Sequence, residues 1–157
     1  MGVQAEADGG KEEGGEEKSM RFFLDTNVLF DLYEEERPSH KDSLLLVKQG
    51  LLGQVDLVVT AASVITMLYS LQRYKLPREL IIGGLNRILP HLDIAQVNTP
   101  ELIAGINSDW TDIEDAIQFH AAVASGHIDA IVSNDKDFKQ QKGVPVLTPK
   151  QALKRVK

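Results

Sequence analysis

The chain has 157 residues, 43% of them hydrophobic, a formal net charge of -6 and no cysteine. That length suits one domain with a sizeable core. The lack of cysteine excludes disulfides, thiol nucleophiles and thiolate zinc sites, so any metal must take oxygen or imidazole ligands. No apolar run approaches the roughly 18 residues of a membrane span, and the first residues lack the basic-then-apolar profile of a secretory signal, which makes a cytoplasmic location the expectation.

Residues 1–19 are rich in Gly and Glu and hold six acids, Glu6, Asp8, Glu12, Glu13, Glu16 and Glu17, against Lys11 and Lys18. So little apolar content cannot offset the entropy of folding, and a disordered acidic tail is expected, followed by a folded domain over 20–157. The tail carries most of the net charge. The remainder is nearly neutral, so charge alone neither demands nor forbids a nucleic-acid partner.

Phe22, Phe23 and Leu24 predict a short buried strand after Arg21, with a helical stretch from Val28 to about Glu35. Pro38 and Ser39 open a second helix running to Gly50, and Val55–Val59 is the next strand. Thr60–Tyr74 reads as an apolar helix crossed by a hydroxyl stripe of Thr60, Ser63, Thr66 and Ser70. A helix over 78–89 is stopped near Pro90, a strand spans 92–97, and a short helix from Pro100 reaches Ile106. Thr111-Asp112-Ile113-Glu114 fits a capping box with Thr111 as the cap, opening a helix that continues through Ala124 to Gly126. Strands over 129–133 and 144–147 and a terminal helix over 149–156 complete the chain. Strands alternating with helices imply an α/β fold, a three-layer α/β/α sandwich on a mainly parallel sheet.

In such a sheet ligands gather outside the carboxyl ends of the strands. Asp25 follows the first strand, Asp135 follows a late one, and Asp115 lies in the first turn of the intervening helix. Carboxylates converging on one cleft suit a hard divalent cation.

Three segments, Leu24-Asp25-Thr26-Asn27-Val28-Leu29, Asp112-Ile113-Glu114-Asp115-Ala116-Ile117-Gln118 and Ile131-Val132-Ser133-Asn134-Asp135-Lys136-Asp137-Phe138, resemble in order and spacing the PIN domain, including the VapC-type toxins. The resemblance covers residues 21–153. It implies a Mg²⁺- or Mn²⁺-dependent endoribonuclease, with Asp25, Asp115 and Asp135 as catalytic metal ligands and Asp112 and Asp137 as further contributors. It also places Thr26, Asn27, Thr66, Ser133 and Asn134 around those acids as orienting groups, with Asn27 and Ser133 foremost. An RNA substrate, an antitoxin protein bound in the cleft and a homodimer are further implications. Thr66 stands where the family usually has Glu, so one carboxylate is missing; a branch with a similar pattern carries Asn or another polar residue there.

Helix entry alone accounts for Asp112 and Glu114, whereas capping does not account for Asp115. Four histidines lack metal-ligand spacing, and Trp110 is read as a packing residue at a helix entry, with base stacking as its alternative. Lys136, Lys139, Lys142, Lys150, Lys154, Arg155 and Lys157 concentrate positive charge near Asp135, where they either guide an RNA backbone or form a solvated face. The alternative function is a degenerate module of the same fold that binds RNA or protein without turnover. An aspartyl-phosphate enzyme ranks below both, because Asn27 replaces the second acid of an Asp-x-Asp motif.

Overall fold

The computed structural model describes Gly2 and residues 17–156; most of the segment expected as a tail lies outside the described residues. Strands β1 (Met20–Leu24), β2 (Val55–Thr60), β3 (Leu92–Ala95), β4 (Ala130–Val132) and β5 (Val146–Leu147) form one sheet in the order β3-β2-β1-β4-β5. Every pairing is parallel. Phe22 of β1 is in register with Leu57 and Ala130, and Leu24 with Val132.

The helices are α1 (Thr26–Asp31), α2 (His40–Leu51), α3 (Ala61–Arg73), α4 (Arg78–Ile88), α5 (Thr99–Ile106), α6 (Ile113–Ala124) and α7 (Pro149–Leu153). Side chains alternate across a strand, so the sheet feeds two cores. Phe22, Leu24, Leu57 and Val59 join Val28, Leu46, Met67 and Ala152 from α1, α2, α3 and α7. Phe23, Val58 and Ile131 face the other way and meet Ala122 of α6 and Phe138. Burying each such side chain is worth about 1.5–3 kcal/mol, and covering both faces explains why the strands read as continuous apolar runs. The result is the expected three-layer α/β/α sandwich, with a sheet that is wholly rather than mainly parallel.

Several element ends differ from the sequence reading. Helix α1 ends at Asp31 rather than near Glu35. Asp31 is 1% exposed and accepts hydrogen bonds from Arg37 Nε at 2.6 Å and Ser43 Oγ at 2.7 Å, which fold the intervening segment back over the helix end. Strand β3 stops at Ala95, short of Val97. A 3-10 turn over Asp137–Gln140 buries Phe138.

Helices α5 and α6 approach closely at Gly105. A Cβ there would lie 2.8 Å from the backbone nitrogen of Ile117 and 2.9 Å from its Cα, so only glycine allows the contact. That packing fixes α6 against α5. Among the described residues no helix is long and apolar enough to cross a membrane.

Candidate active site

The strand order reverses at β1: the chain runs outward through β2 and β3, then returns to place β4 on the other side. A crevice opens at such a switch point, beyond the carboxyl ends of the flanking strands. Asp25 lies just after β1 and Ser133 just after β4, and Ser133 Oγ donates to Asp25 Oδ2 at 2.7 Å. Asp25 is 2% exposed, and its backbone N–H continues the sheet by donating to Val132 O at 3.0 Å. Burial pushes its carboxyl up to about 6, against the opposing hydrogen bonds from Ser133 and the Thr26 and Asn27 backbone.

Helix α6 supplies the next acids. Its N-cap is Asp112, whose Oδ1 accepts the Asp115 backbone N–H at 3.1 Å, so the Thr111 capping box expected from sequence is not formed. Asp112, one residue later, reaches that donor, and Glu114 is exposed. Asp115 is 7% exposed, and its Oδ2 is buried with no hydrogen-bond partner. Burial pushes the Asp115 carboxyl up to about 8, reinforced by the charges of Asp25, Asp112, Asp135 and Asp137. The other four acids thus all lie close enough to act on Asp115 in one cleft.

The loop after β4 carries the last two. Ser133 Oγ accepts the Asp135 backbone N–H at 2.9 Å while donating to Asp25, so one hydroxyl ties two acid-bearing segments together. Asp135 Oδ1 in turn accepts the Asp137 N–H at 2.9 Å. This chain of short bonds turns Asp137 toward α6. Among the described residues, Asp112, Asp115 and Asp137 each offer one carboxylate oxygen within 4.8 Å of the others. An all-oxygen donor set around a buried oxygen without a partner fits a hard divalent cation.

The other predicted residues are placed unequally. Thr26 is buried, but its hydroxyl bonds to Ser63 and Gln118, not to a carboxylate. Asn27 contributes its backbone N–H to Asp25, and its own carbonyl accepts from Arg37. Asn134 and Thr66 are exposed and form no side-chain hydrogen bond. Of the hydroxyl stripe, Ser63 is buried beside the cleft, while Ser70 lines a separate surface pocket with Tyr69 and Tyr74.

Trp110 stacks on Phe119, centroids 5.4 Å apart, and meets Phe138 edge-on at 5.8 Å, the packing role read from sequence. His40 bonds the Asp31 carbonyl and His127 pairs with Asp129. Lys136 and Lys139 flank Asp137, exposed and outside any salt bridge.

Sequence reasoning passed over Gln118. The available signal was a polar side chain three residues after Asp115, hence on the same helix face, in an otherwise apolar turn.

The PIN domain family matches residues 21–137, a span that starts in β1 and ends at the last acid of the cleft. Ribonuclease VapC1 of Aquifex aeolicus (strain VF5) is 27% identical over 142 residues, covering 87% of this chain and 96% of that protein. With the acids borne by the switch point of a parallel sheet and the family match running through all of them, the chain belongs to the PIN domain family.

Proposed function

We propose that the chain is a Mg²⁺- or Mn²⁺-dependent endoribonuclease, hydrolysing RNA phosphodiester bonds at this cleft as the cytoplasmic toxin of a toxin–antitoxin pair. The observation that carries the reading is Asp115 Oδ2, a buried oxygen without a hydrogen-bond partner in a cluster of like charges. Such an arrangement is costly unless positive charge enters. Family membership and the ribonuclease named among its relatives support the same conclusion.

Asp25, Asp115 and Asp135 would hold the ion, with Asp112 and Asp137, whose carboxylate oxygens lie close to that of Asp115, as further contributors. When bound, the ion supplies Lewis acidity and an acidified water for attack on phosphorus. The chain's own part is to keep the acids convergent. Ser133 orients Asp25, the Asp112 cap orients the first turn of α6, and Asp115 surrenders its proton as positive charge arrives. Lys136 and Lys139 lie where they can meet the RNA backbone. Residues 20–157 form the nuclease unit. Partners follow from the family: an antitoxin that covers the cleft with basic side chains, and a second copy in a homodimer.

One observation favours a second reading. Thr66, at the position where the family usually has Glu, is an exposed hydroxyl and brings no charge, as expected of a module that binds RNA or protein without cleaving it.

Incubation of RNA with Mn²⁺ and the wild-type, Asp25→Asn or Asp115→Asn protein separates the two. Cleavage by the wild type alone, with all three proteins folded by circular dichroism, supports the enzyme. Equal cleavage by all three would sink it, and no calorimetric Mn²⁺ binding at millimolar concentration would favour the binding module.

A further inference from the structure

Beneath the acids, four buried polar side chains satisfy one another. Gln118 Nε2 donates to Thr26 Oγ1 at 3.2 Å, Thr26 Oγ1 is 2.7 Å from Ser63 Oγ, and Ser63 Oγ donates to Gln118 Oε1 at 3.4 Å. The three side chains close a ring. Thr60 braces it, donating through Oγ1 to Ser63 Oγ at 3.0 Å while accepting the Ser63 backbone N–H at 3.1 Å. Exposures of 7% for Thr26, 0% for Thr60, 1% for Ser63 and 4% for Gln118 place the ring out of reach of bulk water.

Each corner belongs to an element that frames the cleft. Thr26 follows Asp25 directly and opens α1, Gln118 lies three residues after Asp115 on the same face of α6, and Ser63 lies in the first turn of α3. Asp25 and Asp115 repel each other across the cleft. Apolar side chains of equal volume would fill the same space at little cost in stability, so satisfying buried groups does not by itself explain four polar ones. What the ring adds is a fixed, directional tie between the segments carrying two mutually repelling carboxylates.

We infer that Gln118, acting through Thr26 and Ser63, is a positioning residue that sets the separation of Asp25 and Asp115 and thereby the affinity of the cleft for a divalent cation. The inference rests on the cation-binding reading of the cleft. The side-chain hydrogen bonds of Gln118 go to Thr26 and Ser63 and to neither acid, so it acts through geometry. The Thr26 hydroxyl, not its methyl group, is the required partner.

The test compares Mn²⁺ binding by calorimetry in the full chain and in Gln118→Met, Thr26→Val, Thr26→Ser and a core control, Ile128→Ala. Gln118→Met and Thr26→Val are expected to weaken binding about tenfold, the low end for loss of a group that orients a ligand. Their double variant is expected to be little worse than either, and Thr26→Ser to bind as the wild type does. The control should lose thermal stability without losing affinity. Amide hydrogen exchange on metal-free protein gives the second readout: Gln118→Met should speed exchange in the first turns of α1 and α6 and leave β1 and β4 unchanged. Affinity within twofold of wild type in Gln118→Met, or an equal loss in the control, overturns the inference. Should the wild type bind no Mn²⁺, the cation reading falls and exchange alone decides whether the ring ties α6 to α1; unchanged exchange then overturns the tie as well.

Discussion

Ser133 Oγ donates a 2.7 Å hydrogen bond to Asp25 Oδ2, joining residues 108 positions apart across the point where the sheet changes direction. The bond opposes the effect of burial and keeps the Asp25 carboxyl from rising beyond about 6. Ser133→Ala should therefore raise it further and weaken Mn²⁺ binding near neutral pH by about tenfold. Because the added loss is a protonation cost, the deficit should shrink in calorimetry at about pH 9. An equal deficit at both pH values would show that the hydroxyl acts only by orientation.

Metal-free stability should fall as pH rises. Asp25 and Asp115 have folded-state values of about 6 and about 8, above the 3.8 of the free carboxyl, so the folded chain binds more protons than the unfolded one across that interval. Their stabilising contribution is complete below about pH 4 and is lost as pH passes through each folded value. Asp129, lowered on balance by its Arg21 and His127 hydrogen bonds despite burial, has the opposite sign, but its effect is confined to acid below the ordinary carboxyl value. Melting followed in chelator from about pH 5 to about pH 9 should show a declining midpoint, and a rising one would contradict the assignment.

Asp115→Asn removes a charge that the folded chain accommodates poorly. At about pH 8 the metal-free variant should melt roughly 2–5 °C above the wild type while losing Mn²⁺ binding and RNA cleavage together. Scanning calorimetry with and without Mn²⁺ checks both halves. A variant less stable than wild type would mean that Asp115 supports the fold.

Arg37→Ala should cost about 2 kcal/mol in urea unfolding, below the ~3–5 kcal/mol for breaking a fully buried pair. Asp31 is 1% exposed, but the Arg37 side chain is 31% exposed and screened by water. The loss arises from leaving the Asp31 carboxylate with Ser43 as its remaining side-chain donor. No loss would place the segment's anchor elsewhere.

Gly105→Ala should destabilise by about 1–3 kcal/mol, the usual cost of overpacking. The methyl would press on the backbone of Ile117, two residues beyond Asp115, so Mn²⁺ affinity should fall with stability. Wild-type affinity in a destabilised variant would show that α6 moves as a rigid unit.

Alternating apolar strands and helices were enough to read the layered sheet, because strand and helix periodicities are local and each face must bury its own side chains. The positions of Asp25 and Asp135 after strands were legible for the same reason: the carboxyl ends of parallel strands share one edge. Capping was misread at Thr111, since two neighbouring residues can both accept from the helix start and backbone geometry chose Asp112. Gln118 went unrecognised because its partners lie 92 and 55 positions away.

By itself the sequence pointed to Asp25, Asp115 and Asp135 at one end of a parallel sheet, because strand and helix periods are local patterns and the carboxyl ends of parallel strands share an edge. Only the tertiary structure decided how those acids are arranged. Close grouping of Asp112, Asp115 and Asp137, the Ser133 bridge to Asp25 and the Gln118 ring all depend on ångström-scale approach between distant segments. Burial then raises the Asp25 and Asp115 carboxyls, since desolvation acts on the packed side chain and not on its place in the chain.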